Sequence, residues 1–155
     1  MAATATFKRT FDSIADIFTF TATAFARQGI DARLLPTVDL AVEELFTNMV
    51  KYNPSSGADV RVDIAPIDGG AEVTITDYDA DKFDVTQAPE VDVTLPIEER
   101  RPGGLGLHLV RRLLDSIEYD YRVAERVSRI TFRKTHQGRS AASGALGEGK
   151  NDACD

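Results

Sequence analysis

The chain has 155 residues, 43% of them hydrophobic and 28% charged, with a formal net charge of -7. That mass suits one domain with its own core, and the acidic excess argues against a general nucleic-acid binder, which needs a basic face. The single cysteine, Cys154, excludes an internal disulfide framework.

No apolar run is long enough to span a bilayer. The start MAATATFKRTF lacks the apolar core of a signal peptide, so the expected location is cytoplasmic, with no membrane partner. Residues Thr4 to Thr10 alternate weakly, as an edge strand would. From Phe11 the spacing turns helical, with Ile14, Ile17, Phe18, Ala22 and Phe25 on one stripe and Gly29 as the stop. A second helix is predicted from near Pro36, a residue suited to a first turn, to Tyr52. Its apolar stripe is Val38, Ala41, Val42, Leu45, Met49 and Tyr52, and Asn53 to Gly57 end it. Val60, Val62 and Ile64, then Ala71, Val73 and Ile75, alternate on either side of Asp68-Gly69-Gly70, the pattern of a hairpin with one buried face. Asp77 to Pro102 has no period and is too long for an ordinary connection, which reads as a lid or a disordered segment. A third helix opens at Gly103 to Gly106 and carries Leu109, Val110, Leu113, Leu114 and Ile117. Two closing strands are expected, near Ile117 to Ala124 and Val127 to Lys134. From Thr135 the chain is rich in Gly, Ser and Ala and reads as a disordered tail, residues 135–155. The fold class is therefore an α+β two-layer sandwich: a mixed, mainly antiparallel sheet with helices on one face.

Three features carry chemistry. On the second helix, Glu44, Asn48 and Lys51 fall within roughly 60° of one another, beside the apolar stripe. Asn48 offers a neutral oxygen to a hard cation such as Mg²⁺. Glu44 is placed to take a proton from a hydroxyl or water, and Lys51 to meet a phosphate. The same set also fits a solvated polar helix face. In Gly103-Gly104-Leu105-Gly106 the missing side chains let backbone N–H groups approach an anion at a helix start, though a tight turn into a helix has the same sequence. Asp77 continues the alternation of Val73 and Ile75 to the strand end. There a carboxylate can accept a hydrogen bond from an exocyclic amine such as adenine's, or simply begin a turn.

Taken in order, AVEELFTNMVKY, ITDYDADKFD and RRPGGLGLHLVRRLLD resemble the GHKL (histidine kinase/HSP90-like) ATPases. The likeness covers about Phe7 to Lys134 and is nearest to the anti-sigma-factor serine kinases. It implies a Bergerat ATP-binding fold over residues 1–134, with ATP and Mg²⁺ as cofactors. By this resemblance Glu44 is the general base and Asn48 the Mg²⁺ ligand, while Lys51 meets phosphate and Asp77 reads adenine. The phosphate loop is Gly103, Gly104, Leu105, Gly106 and Leu107; Arg100 and Arg101 belong to the lid. Phe83 and Asp84 match the Phe-Asp pair that follows the family's Asp-x-Gly box. That box departs from the pattern. Aligned without a gap, Tyr78 takes the adenine place and Ala80 the glycine; with one, Asp77 keeps its role and Asp79 replaces the glycine.

The resemblance further implies phosphoryl transfer to a serine of an anti-anti-sigma partner, sequestration of a sigma factor or similar protein, and a possible homodimer. The alternative is a partner-binding regulatory module with weak or lost ATP use.

Overall fold

The alternation of β-branched residues builds the sheet. The computed structural model describes residues 2–53, 56–82 and 104–136. Strand β1 is Ala3–Phe7, β2 Val60–Ile67, β3 Gly70–Asp77, β4 Ser116–Arg122 and β5 Val127–Thr135. They form one sheet in the order β1-β2-β3-β5-β4, and every pairing is antiparallel rather than mixed. The register lines up inward residues in rows across the strands. Ala3, Ile64, Val73, Phe132 and Ile117 make one row, and Ala5, Val62, Ile75, Ile130 and Tyr119 the next. Asp77 shares the parity of Val73 and Ile75 and pairs with Ser128. A carboxylate therefore stands at the end of the apolar face, where the core closes.

Among the described residues three helices cover that face: α1 (Ser13–Gln28), α2 (Leu35–Tyr52), entered through a short 3-10 turn at Ala32–Leu34, and α3 (Gly104–Leu113). Ile17, Phe25, Val38, Leu45 and Phe46 meet Val62, Val73 and Phe132 in one continuous core. The opposite face is polar and held by cross-strand pairs such as Arg133 to Glu72 at 2.8 Å and Thr74 to Thr131 at 3.2 Å. This is the two-layer arrangement expected, and no helix among the described residues is long and apolar enough to cross a membrane.

Several boundaries differ from the sequence reading. β1 stops at Phe7 rather than Thr10 because Lys8 turns the chain: its carbonyl accepts from the Thr10 N–H at 2.8 Å and the Ser13 hydroxyl at 2.7 Å. In α1 the buried position is Thr21, whose hydroxyl donates to Asp39 at 2.6 Å, and Ala22 faces solvent. In α2 Phe46 is fully buried while Tyr52 is exposed. α3 buries Leu107 and Val110 and leaves Leu109 46% exposed, and Leu114, just past its end, is buried as well. Ile117 belongs to β4, and β5 runs one residue further, to Thr135. The expected lid and tail lie, from 83 to 103 and from 137 on, outside the described residues.

Gly29 ends α1 in the left-handed conformation, φ 66°, with its N–H on the Phe25 carbonyl. A side chain costs about 1–2 kcal/mol in that conformation. Gly29→Ala is expected to lower stability by that amount in urea unfolding, with no change in the denaturant slope.

Candidate functional site

Helix α2 carries the polar set outward from its buried stripe in graded depth. Asn48 is 6% exposed, Glu44 is half-buried, and Lys51 is exposed. Asn48 and Asp77 line the same cavity, of about 160 Å³, together with Leu45, Met49 and Asn53 of α2 and its end. Ser128 and Ile130 of β5 close it from the sheet side. The structure thus joins two of the residues singled out by sequence, one from the helix layer and one from the strand end.

Glu44 lies one turn before Asn48 and meets a different element. A Cβ added at Gly106 would overlap both oxygens and the carboxyl carbon of Glu44. A side chain at position 106 has room beside α2 only if the Glu44 carboxylate moves. Glu44 Oε1 is buried and has no hydrogen-bond partner among the described residues. Burial raises the carboxyl's pKa, nearby Lys51 opposes the shift, and Glu43 adds to it. Lys51 therefore acts on Glu44 through its field, from outside the cavity. Gly104 and Leu105 begin α3, and Leu107 is buried in the core beneath it. Phe83, Gly103, Arg100 and Arg101 lie outside the described residues.

Asp77 is not a free acceptor. It is 4% exposed and ion-paired through Oδ1 with Arg9, whose side chain is equally buried. Arg9 also donates to the Met49 carbonyl at 3.2 Å, and its Nε is buried with no partner among the described residues. Sequence reasoning missed Arg9. The one available signal was parity: residues 3, 5 and 7 of β1 point inward, and position 9 continues that count beyond the strand.

The segment after β3 is fixed from two sides. From the end of α2, Asn53 Nδ2 donates to the Asp79 carbonyl at 3.0 Å and the Ser56 hydroxyl to the Tyr78 carbonyl at 2.9 Å. From the β4–β5 hairpin, the Arg126 carbonyl accepts from the Ala80 N–H at 2.8 Å, and the Tyr121 hydroxyl donates to the Ala80 carbonyl at 2.7 Å. Asp79 has φ 51°, a left-handed conformation that aspartate tolerates better than most residues. Arg126 faces two carboxylates of this segment, Asp79 at 3.4 Å and Asp81 at 2.9 Å. Two residues past Asp77, an aspartate thus takes the backbone conformation that glycine adopts most readily.

A family model described as the histidine kinase-like ATPase domain matches residues 7–134. Among curated proteins, a serine-protein kinase RsbW of Halalkalibacterium halodurans is 32% identical over 100 residues, covering 58% of this chain and 61% of that protein. A serine-protein kinase RsbW of Oceanobacillus iheyensis is 26% identical over 98 residues, covering 59% and 61%. The chain spans about 61% of the length of each of these relatives.

Proposed function

Because the chain belongs to the histidine kinase-like ATPase domain family, we propose that it is an ATP-binding regulatory protein, acting as an anti-sigma-type serine/threonine kinase on an anti-anti-sigma partner in the cytoplasm. The observation that carries this reading is the Glu44 carboxylate. It is half-buried, has one oxygen without a partner among the described residues, and is pressed against Gly106 one turn from the buried Asn48. A carboxylate kept in such a place is costly unless it is used. The two similar proteins are both serine-protein kinases, which supports the choice of acceptor.

The donor set is of the kind that ATP and Mg²⁺ would use. Asn48 would offer its amide oxygen to the metal, Lys51 a positive charge to phosphate, and Asp77 an acceptor to the base. Bound Mg-ATP supplies the γ-phosphoryl group, with its charge partly neutralised. Glu44 would accept the proton of the serine hydroxyl as that hydroxyl oxygen bonds to the γ-phosphorus and the bond from phosphorus to the bridging oxygen breaks, ADP leaving with the electron pair.

Calorimetric titration with ATP tests this, with and without Mg²⁺, against GTP and against Asn48→Ala. Saturable, Mg²⁺-dependent binding that prefers ATP and weakens in the variant is expected. No binding at millimolar ATP would favour a second reading, a partner-binding module that no longer uses ATP. The Arg9–Asp77 pair motivates that reading, since one oxygen of the adenine-reading carboxylate is already engaged.

Gly106→Ala gives a separate check. The clash falls on the movable end of a side chain, so the fold is expected to survive while Glu44 swings away. A melting temperature within a few degrees of wild type, with phosphoryl transfer reduced by at least about tenfold, is the expected pair of results. Full transfer in the variant would detach Glu44 from the chemistry.

A further inference from the structure

Arg9 has no role in the transfer step, yet it is among the most deeply placed charges described. Its side chain is 6% exposed, it comes from the connection between β1 and α1, and it does not line the cavity. It reaches two groups of residues that do. One nitrogen binds the Met49 carbonyl on α2, and another binds Asp77 Oδ1 at the end of β3. The guanidinium thus ties the helix wall of the cavity to its sheet wall from behind. Because Arg9 takes Oδ1, Oδ2 is the oxygen left for whatever enters the cavity that Asp77 lines.

We propose that Arg9 is the positioning residue for base recognition: it pins the Asp77 carboxylate by one oxygen and so presents the other as a fixed, acceptor-only group that selects a purine with an exocyclic amine over one with a carbonyl. This rests on the nucleotide-site reading and deepens it. A carboxylate free to turn about its last bond can swing away, or recruit a water that donates to a carbonyl, and either response blurs the choice of base. A planar guanidinium forked between a carboxylate and a main-chain carbonyl removes that freedom, and a lysine ammonium, a point charge without the fork, does so less well. The pair also explains how a charged residue is kept at the end of an apolar row: the counter-charge is supplied by the chain itself, before any ligand arrives.

The test compares ATP with ITP, which differ at the exocyclic position, by calorimetry on the full chain. Wild type, Arg9→Met and Arg9→Lys are titrated, and thermal unfolding is recorded for each. Wild type is expected to prefer ATP by at least about tenfold, the scale of one hydrogen bond to a charged group. In Arg9→Met the preference is expected to fall to within about threefold of unity, and in Arg9→Lys to lie between. If Arg9→Met does not fold, Arg9→Lys carries the comparison. A folded variant that keeps the wild-type ratio, or that loses ATP and ITP equally with the ratio unchanged, reduces Arg9 to a structural role and overturns the proposal. Failure of wild type to bind ATP at all overturns the nucleotide site, and this assignment with it.

Discussion

Replacing Glu44 by Gln is expected to slow phosphoryl transfer from ATP, to a partner serine or to water, by about 10²–10⁴-fold, the usual worth of a positioned general base. The dissociation constant for ATP should stay within a few-fold of wild type, because Glu44 is not among the residues lining the cavity that holds Asn48 and Asp77. Gln keeps the shape of the side chain against Gly106 and removes only the basicity. The pH dependence gives a second reading of the same variant. Burial raises the Glu44 pKa, so the active carboxylate forms only above the ordinary glutamate range. The wild-type rate should climb with pH across that shifted range, and the residual rate of the Gln variant should not.

Stability carries the opposite sign. A carboxyl whose folded pKa is raised favours the folded state most below its unfolded pKa, and that contribution is lost as pH rises through the folded value. Glu44→Gln should therefore unfold at a higher temperature than wild type near neutral pH, and the gap should close on acidification. A stabilised but slow variant is the pattern expected of a group held for function. Wild-type transfer in Glu44→Gln would remove the assigned base.

Much of this is legible in the sequence. The α2 stripe placed Glu44 and Asn48 at the edge of the core, and the strand parity of Val73, Ile75 and Asp77 placed the carboxylate on the helix-facing side, where it pairs with Ser128. Both patterns have short periods, so they survive in a single sequence. What was missed required contacts between distant segments. Arg9 and Asp77 are 68 positions apart, and no local pattern reports such a pair. The nearness of Gly106 to Glu44 likewise depends on how α3 packs on α2, a relation that helical periodicity does not encode. Leu109 was placed in the wrong stripe for a related reason. The helix starts at Gly104 and buries Leu107 and Val110, with Leu114 buried just past its end, and an alternative phase through Leu109 and Leu113 is equally apolar on paper. The degenerate box after Asp77 offered two alignments. The left-handed Asp79, φ 51°, is the physical observation that favours Asp77 in the base-reading role, since a residue two positions on then takes the turn that glycine usually supplies.

The second large effect is expected at Asp77, and it concerns folding rather than binding. Asp77→Ala would leave the Arg9 guanidinium buried without its counter-charge, beside an Nε that already lacks a partner among the described residues. Removing one member of a buried pair costs about 3–5 kcal/mol, a large share of the stability of a domain this size. The denaturant midpoint should fall accordingly. Arg9→Met with Asp77→Leu removes both charges and fills the space with apolar atoms, and such replacements are neutral or stabilising in other buried pairs. The double variant is therefore expected to be more stable than either single one, and the cycle to show a coupling of about 2–3 kcal/mol. A cost below about 1 kcal/mol for Asp77→Ala would mean that the pair behaves as a solvated one. The decisive comparison is the double variant's ligand binding. If it folds as well as wild type yet no longer distinguishes ATP from ITP, the charges at the end of the apolar row are there for the base and not for the fold. A well-folded double variant that still selects ATP would place base recognition elsewhere in the cavity, and the ion pair would then be a feature of packing alone.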